Sequence, residues 1–293
     1  AVVVTDRREA KHWRATDMLS VEEAREKVLG AVGGLEAVEV PLLEALGMTL
    51  AEDVVARDHI PPFDNSAMDG YAVRSEDVAR ASRESPVELR VLGDLAAGYA
   101  PRVALERGQA LRIMTGAPVP PGADAVVPVE STRVEGDRVL VMECVPEGAH
   151  VRRAGEDVRS GETVLATGTA VGPAELGMLA SLGCPRPRCF RRAMVGIIST
   201  GDELVGVDEE LAPGKIRDSN SYTLYGMVRE AGAEPLRLGV ARDDAALLEK
   251  TILDNLDRVD LFVTSGGVSV GDYDMVKDVL GKLGEMNFWK VAM

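Results

Sequence analysis

The sequence has 293 residues, with 33 basic and 48 acidic side chains and a formal net charge of −15. That length makes two domains, or a few small ones, each able to bury a core, and 46% apolar with 28% charged residues is the composition of a folded chain rather than a disordered one. An acidic chain with 4% aromatics is ill suited to nucleic acid, which is held by Lys/Arg–phosphate contacts and base stacking, and equally to an anionic membrane surface.

No apolar run approaches the roughly 18 residues of a membrane span, and Ala1–Thr5 is too short for a signal peptide. A cytoplasmic protein is expected. Cys144, Cys184 and Cys189 contain no Cys-x-x-Cys pair, and His12, His59 and His150 are scattered without metal-ligand spacing. Structural or bystander roles are expected for all six.

Residues 1–16 are polar, mildly basic and aperiodic, and read as a leader or as a remnant of cloning. Ser20-Val-Glu-Glu23 has the form of a capping box, followed by Val21, Ala24, Val28 and Val32 at helical spacing, with Gly33-Gly34 as the stop. Val38–Val55 holds a short strand and the apolar run Leu42–Leu50. From Asp58 to about Arg153, short alternating runs (Val87–Leu92, Ala110–Met114, Arg138–Met142) are separated by Gly and Pro turns, which argues a compact β domain. Pro173 opens a short helix closed by Gly183, and proline-rich, basic Pro185–Arg192 reads as a linker.

Beyond Arg192 strands and helices alternate. Met194–Ser199, Leu236–Val240, Asp260–Thr264 and Asn287–Met293 read as strands, and Ser219–Ala231, Asp244–Leu256 and Tyr273–Leu283 as helices. This alternation predicts right-handed crossovers and an open parallel sheet covered on both faces. The fold class is therefore α/β and multidomain, a β-rich region inserted before a parallel-sheet α/β domain.

Ligands of such sheets bind beyond the carboxyl ends of the strands. Two ends stand out: Ser199-Thr200-Gly201-Asp202-Glu203-Leu204, and the Gly- and Ser-rich loop Thr264–Asp274. Glycines let backbone N–H groups approach an anion, and a helix N-terminus favours negative charge. The loop is neither a Walker A nor a G-x-G-x-x-G fingerprint, and a plain tight turn would look the same. Asp202, Glu203, Asp272 and Asp274 surround it; a phosphate facing carboxylates needs a cation between them, and Mg²⁺ suits oxygen-only ligands. Helix capping would equally account for any one of these acids, and for one of Asp243 and Asp244. Lys215 could neutralise a phosphate or be a solvated loop lysine. Three further loops are dense in small polar residues: Pro61–Ala72, Met114–Asp124, and Arg152–Asp157 with two cations beside two acids.

PPFDNSAMDGYA at 61–72, RIMTGAPVPPGAD at 112–124, RRAGEDV at 152–158, STGDEL at 199–204, KIRDSN at 215–220 and TSGGVSVGDYD at 264–274 resemble the MoeA family, relatives of gephyrin E-domains, from about residue 18 to the end. The resemblance implies a split linker domain (17–60 and 150–190), an inserted β-rich domain (61–149) and a MogA-like molybdopterin-binding α/β domain (191–293). It also implies that the sequence is C-terminally truncated, because family members continue into a C-terminal β domain absent here. The activity implied is that of a molybdopterin molybdotransferase, inserting molybdate into adenylylated molybdopterin with Mg²⁺-dependent release of AMP, in a homodimer and possibly beside a MogA-like adenylyltransferase. A gephyrin-like scaffold, or a pterin- or nucleotide-binding protein, is the alternative.

Carried over by motif, Asp64, Thr115, Asp157 and Glu203 are implied in activity, with one of Asp243 and Asp244, and Glu203, Asp274 and Asp202 in metal binding. Ser199, Thr200, Gly201, Lys215, Asp218, Ser219, Asn220, Ser265, Gly266, Gly267, Ser269 and Lys277 are implied in holding phosphate or pterin.

Overall fold

A computed structural model describes residues 19–242, 244–266, 275–284 and 291–292. The chain divides into two compact units. One comprises Ala1–Glu52, Gly168–Gly177 and Pro185–Met293; the other, Asp53–Thr167 and Met178–Cys184, is inserted between segments of the first.

The inserted unit is built on a six-stranded sheet in the order Ala125–Pro128, Gly70–Val73, Gln109–Ile113, Val87–Leu95, Arg138–Val141, Thr132–Glu135. Neighbours are antiparallel except Val87–Leu95 with Gln109–Ile113, which run parallel. Both faces are covered. Tyr71, Val73, Ala125 and Val127 enter one core and the intervening Ala72 and Val126 enter another, because successive side chains of a strand point to opposite faces. That two-sided burial explains why these strands are so evenly apolar. Gly70 is required where two strands meet: a Cβ there would lie 2.1 Å from the Val127 carbonyl oxygen.

In the first unit, Ser20 forms the expected capping box, its Oγ accepting from Glu23 N (3.2 Å) while Glu23 Oε2 accepts from Ser20 N (2.8 Å). The helix runs Val21–Ala31 and ends at an extended Val32 rather than at Gly33-Gly34. The expected linker is also corrected. Arg188–Phe190 is the central strand of a three-stranded antiparallel sheet, between Ala37–Glu39 and Thr49–Leu50. Cys189 is buried in it. Pro185 and Pro187 lack N–H groups, yet their carbonyls accept from Leu42 N and Val40 N, so they join the sheet through the one backbone group they keep.

The α/β part holds a parallel sheet in the order Glu234–Ala241, Met194–Thr200, Leu261–Ser265. Helices Asn220–Glu230, Ala245–Leu253 and Met275–Leu283 accompany it. Ile198, Ala241, Leu248, Ile252, Val276, Val279 and Leu280 form its core. The first strand in sequence is central and the next two flank it on opposite sides, so the winding reverses at its carboxyl end, where open α/β sheets place their ligands. At the opposite end the Arg191 guanidinium grips both oxygens of Asp260 (2.6 and 2.7 Å), which also accepts from Met194 N at 2.8 Å. Of the fourth expected strand, 287–290 and Met293 lie outside the described residues; Val291 makes a single parallel bridge to Leu19.

Candidate functional site

Within the inserted unit the three polar loops come together. Asn65–Ser66 pairs antiparallel with Val151–Arg152, and Asn65 also bridges to Pro118. Ser66 O accepts from Gly116 N (2.8 Å), and Asp64 O from Val119 N (2.9 Å). Asp64 is the joint between the first loop and the third: Oδ1 accepts from Ala154 N (2.8 Å) and Oδ2 from the Arg153 guanidinium (2.7 Å). The Ala154 N–H, then Arg153, hold its carboxyl below the ordinary carboxylate range against a small desolvation. Asp69 is the joint between the first loop and the second. Its Oδ1 accepts from both Thr115 N (2.7 Å) and Thr115 Oγ1 (2.8 Å), which lowers its pKa, the backbone N–H foremost. Asp157 is exposed on the third loop, its N–H bonded to Ile60 O (3.0 Å). Asp64, Thr115 and Asp157 thus share one cluster of loops. Asp69 and Arg153, which organise it, are not among the site residues that the sequence points to. Both lie inside the motifs, but nothing in a linear sequence pairs residues 46 or 89 positions apart.

At the carboxyl end of the central parallel strand, Ser199 is fully buried and its Oγ donates to Asp218 Oδ2 (3.0 Å). Asp218 Oδ1 accepts from Ser221 N (3.1 Å), in the first turn of helix Asn220–Glu230, and Arg237 donates to Ser221 Oγ (3.1 Å) while stacking 3.8 Å over the Tyr222 ring. Burial pushes the Asp218 carboxyl up, but hydrogen bonds from Ser221 and Ser199 and the nearby Arg237 charge outweigh it and leave the pKa lowered. The carboxylate therefore ties strand end to helix start. Ser219 and Asn220 are exposed beside it.

Thr200 is buried, and its Oγ1 has no hydrogen-bond partner among the described residues. Gly266, at φ +99°, packs against it so closely that a Cβ would lie 2.5 Å from Thr200 O. The exposed Glu203 carboxylate folds back over Gly201, and Lys215 Nζ donates to Asp202 O (2.6 Å), so Lys215 braces the loop. Ser265 ends its strand and Lys277 is exposed on the last helix. Asp244 is an N-cap, its Oδ1 accepting from Ala246 N (2.9 Å) and Leu247 N (3.1 Å). Asp243, Gly267, Ser269 and Asp274 lie outside the described residues.

Residues 19–183 match a family model described as the MoeA N-terminal region (domain I and II). The chain belongs to the MoeA family. Residues 196–293 match a second model, described as a probable molybdopterin binding domain. Among curated MoeA relatives named molybdopterin molybdenumtransferase, one from Nostoc sp. is 42% identical over 92% of this chain and 63% of its own length. Molybdopterin molybdenumtransferase 2 of Mycobacterium tuberculosis is 45% identical over 94% of this chain and 70% of its own. The chain thus spans about two thirds of the length of these relatives. A crystal structure of the molybdopterin biosynthesis moeA protein from Pyrococcus horikoshii superposes with TM-score 0.79 and 36% identity, covering 85% of this chain and 67% of that one. The mixed architecture, a β-rich insertion with an open parallel-sheet α/β part, is that of the MoeA fold.

Proposed function

We propose that the protein is an enzyme of molybdenum cofactor synthesis, a molybdopterin molybdotransferase that inserts molybdate into adenylylated molybdopterin and releases AMP. What carries the reading is that all three MoeA-like loop motifs of the inserted unit converge on the Asp64–Arg153 and Asp69–Thr115 contacts, in a chain whose curated relatives bear that activity in their names. We assign the activity to Asp64, Thr115, Asp157 and Glu203 with Asp243 or Asp244, and the phosphate and pterin to the strand-end residues Ser199, Thr200 and Gly201, to Lys215, Asp218, Ser219 and Asn220, to Ser265, Gly266, Gly267 and Ser269, and to Lys277. The proposal includes a homodimer, a MogA-like adenylyltransferase as supplier of the adenylylated substrate, and a cytoplasmic setting. No helix among the described residues is long and apolar enough to cross a membrane. It also includes the finer division into 17–60 with 150–190, 61–149 and 191–293.

The donor set suits Mg²⁺. Asp202 and Glu203 follow a strand end, two and three positions after Thr200, whose buried hydroxyl has no hydrogen-bond partner among the described residues, and all of these donors are oxygens. Mg²⁺ takes one or two carboxylates and fills its shell with water and substrate phosphate, so the described residues fit without a larger cluster. Asp202 and Glu203, with Asp274, would hold the ion, which would neutralise phosphoanhydride charge. The chain's own part is to present these oxygens in the turn that follows the central strand and to orient the reacting groups.

The test is AMP release by the full chain from adenylylated molybdopterin with molybdate and Mg²⁺. Release that stops on chelation, and that falls at least tenfold in Glu203→Gln, is expected. No release, or release indifferent to chelation, overturns the transferase reading or its metal, and Mg²⁺-independent behaviour throughout would favour a scaffold.

A further inference from the structure

Thr115 is held from every side that backbone can offer. Met114 N donates to Leu95 O (3.1 Å), Ala117 N to Met114 O (2.9 Å) and Gly116 N to Ser66 O (2.8 Å), so the turn carrying Thr115 is tied down on both sides. Asp69 is held as well, by Val129 N on its carbonyl (3.0 Å) and by the turn that Ser66 Oγ closes on Met68 N and O. The two meet at one atom, Asp69 Oδ1, which receives both the Thr115 N–H and the Thr115 hydroxyl.

The direction of that second bond follows from chemistry. The Asp69 carboxyl lies below the ordinary carboxylate range, so at neutral pH it is ionised and can only accept. The Thr115 hydroxyl must therefore donate its one proton to Asp69, and what it presents outward is lone pairs. Molybdate and phosphate, which carry acceptor oxygens and negative charge, find no donor on this pair, and the nearby Arg112 charge is shared between Asp69 and Asp94 (3.9 Å). A hydrogen-bond donor is what the pair can bind, and the donors held rigidly in a heterocycle are its N–H groups.

We propose that Asp69 is a positioning residue that locks the Thr115 hydroxyl as a hydrogen-bond acceptor, so that Thr115 receives the N–H edge of the substrate's heterocycle and not its oxyanion or phosphates. The inference rests on the transferase reading for the identity of the ligand, which offers two such edges, the pterin and the adenine. The same lock predicts that Asp69 acts through Thr115 and not by itself.

Binding to the full chain tests it with three separate probes: pterin, AMP and molybdate. Thr115→Val, which keeps the shape and loses the lone pairs, is expected to weaken pterin or AMP about tenfold, the scale of one hydrogen bond, with molybdate affinity unchanged; which of the two weakens identifies the edge. Thr115→Ser restores most of the loss. Asp69→Ala weakens the same probe, and adds nothing in the Thr115→Val background, where a separate structural role would give additive losses. Equal heterocycle binding in Thr115→Val and the unaltered chain, zero in both included, overturns the proposal, as does a loss of molybdate binding. Because no turnover is read, failure of AMP release with the binding pattern intact would remove the transferase reading and leave this one standing. If Asp69→Ala fails to fold, the Val and Ser variants decide alone.

Discussion

At Gly70 the absence of one methyl group decides whether two strands can pair. A Cβ at this position would come within 2.1 Å of the Val127 carbonyl oxygen, and its next neighbours are backbone too, so no side chain can yield. Gly70→Ala should cost about 2–4 kcal/mol or prevent folding, read by urea unfolding. Asp260 makes a second test. Its carboxyl is held below its ordinary range by Arg191 first, then, against desolvation, by the Met194 N–H. A depressed carboxylate contributes stability above its unfolded pKa of about 3.9, and the contribution disappears as pH falls through the folded value. Asp260→Asn should therefore cost about 1 kcal/mol at pH 7, the usual bidentate gain being discounted for solvent screening, and should cost progressively less below about pH 4. Thermal melts of both proteins across pH 2–8 check this; a pH-independent difference would contradict it.

Helix starts are the most legible elements, because a cap is a local arrangement between a side chain and backbone a few residues away. Ser20 with Glu23 is such a case, and Ser20→Ala should cost about 1 kcal/mol, read by urea unfolding. Asp244 illustrates the opposite problem. One carboxylate caps helix Ala245–Leu253 and is also assigned to the activity, and the two roles separate by substitution. Asp244→Ser keeps a capping oxygen and should stay within about 0.5 kcal/mol of the parent, whereas Asp244→Ala should lose about 1 kcal/mol; both should lose AMP release if the carboxylate itself is needed. Pro185–Arg192 resembles a linker for a physical reason. Proline and basic residues ordinarily punctuate strands, but here they flank a three-residue strand whose apolar content is a cysteine and a phenylalanine, too short for periodicity to register.

For the whole molecule the charge of −15 describes the surface more than the site. Asp53, Asp64, Asp69, Asp218 and Asp260 all have lowered pKa values. Summed over them, stability should be level from about pH 8 to 5 and fall below about pH 4, as paired carboxylates take up protons that the unfolded chain binds more readily. Circular dichroism melts across that range test it, and a loss of stability beginning near pH 6 would point to histidine instead.

Composition, period and caps sufficed for the alternation of strand and helix, the β-rich insertion, and the six motifs by which the chain resembles MoeA proteins, because each depends on residues within one turn, one strand or one loop. Which loops meet was decided only in three dimensions. Asp64 finds Arg153 and Asp69 finds Thr115 because a sheet brings distant segments into register, and Asp218 ties a strand end to a helix start because Ser199 and Ser221 converge on it. Such pairings are set by the summed packing of the sheet and its cores, and no local run of sequence contains that sum.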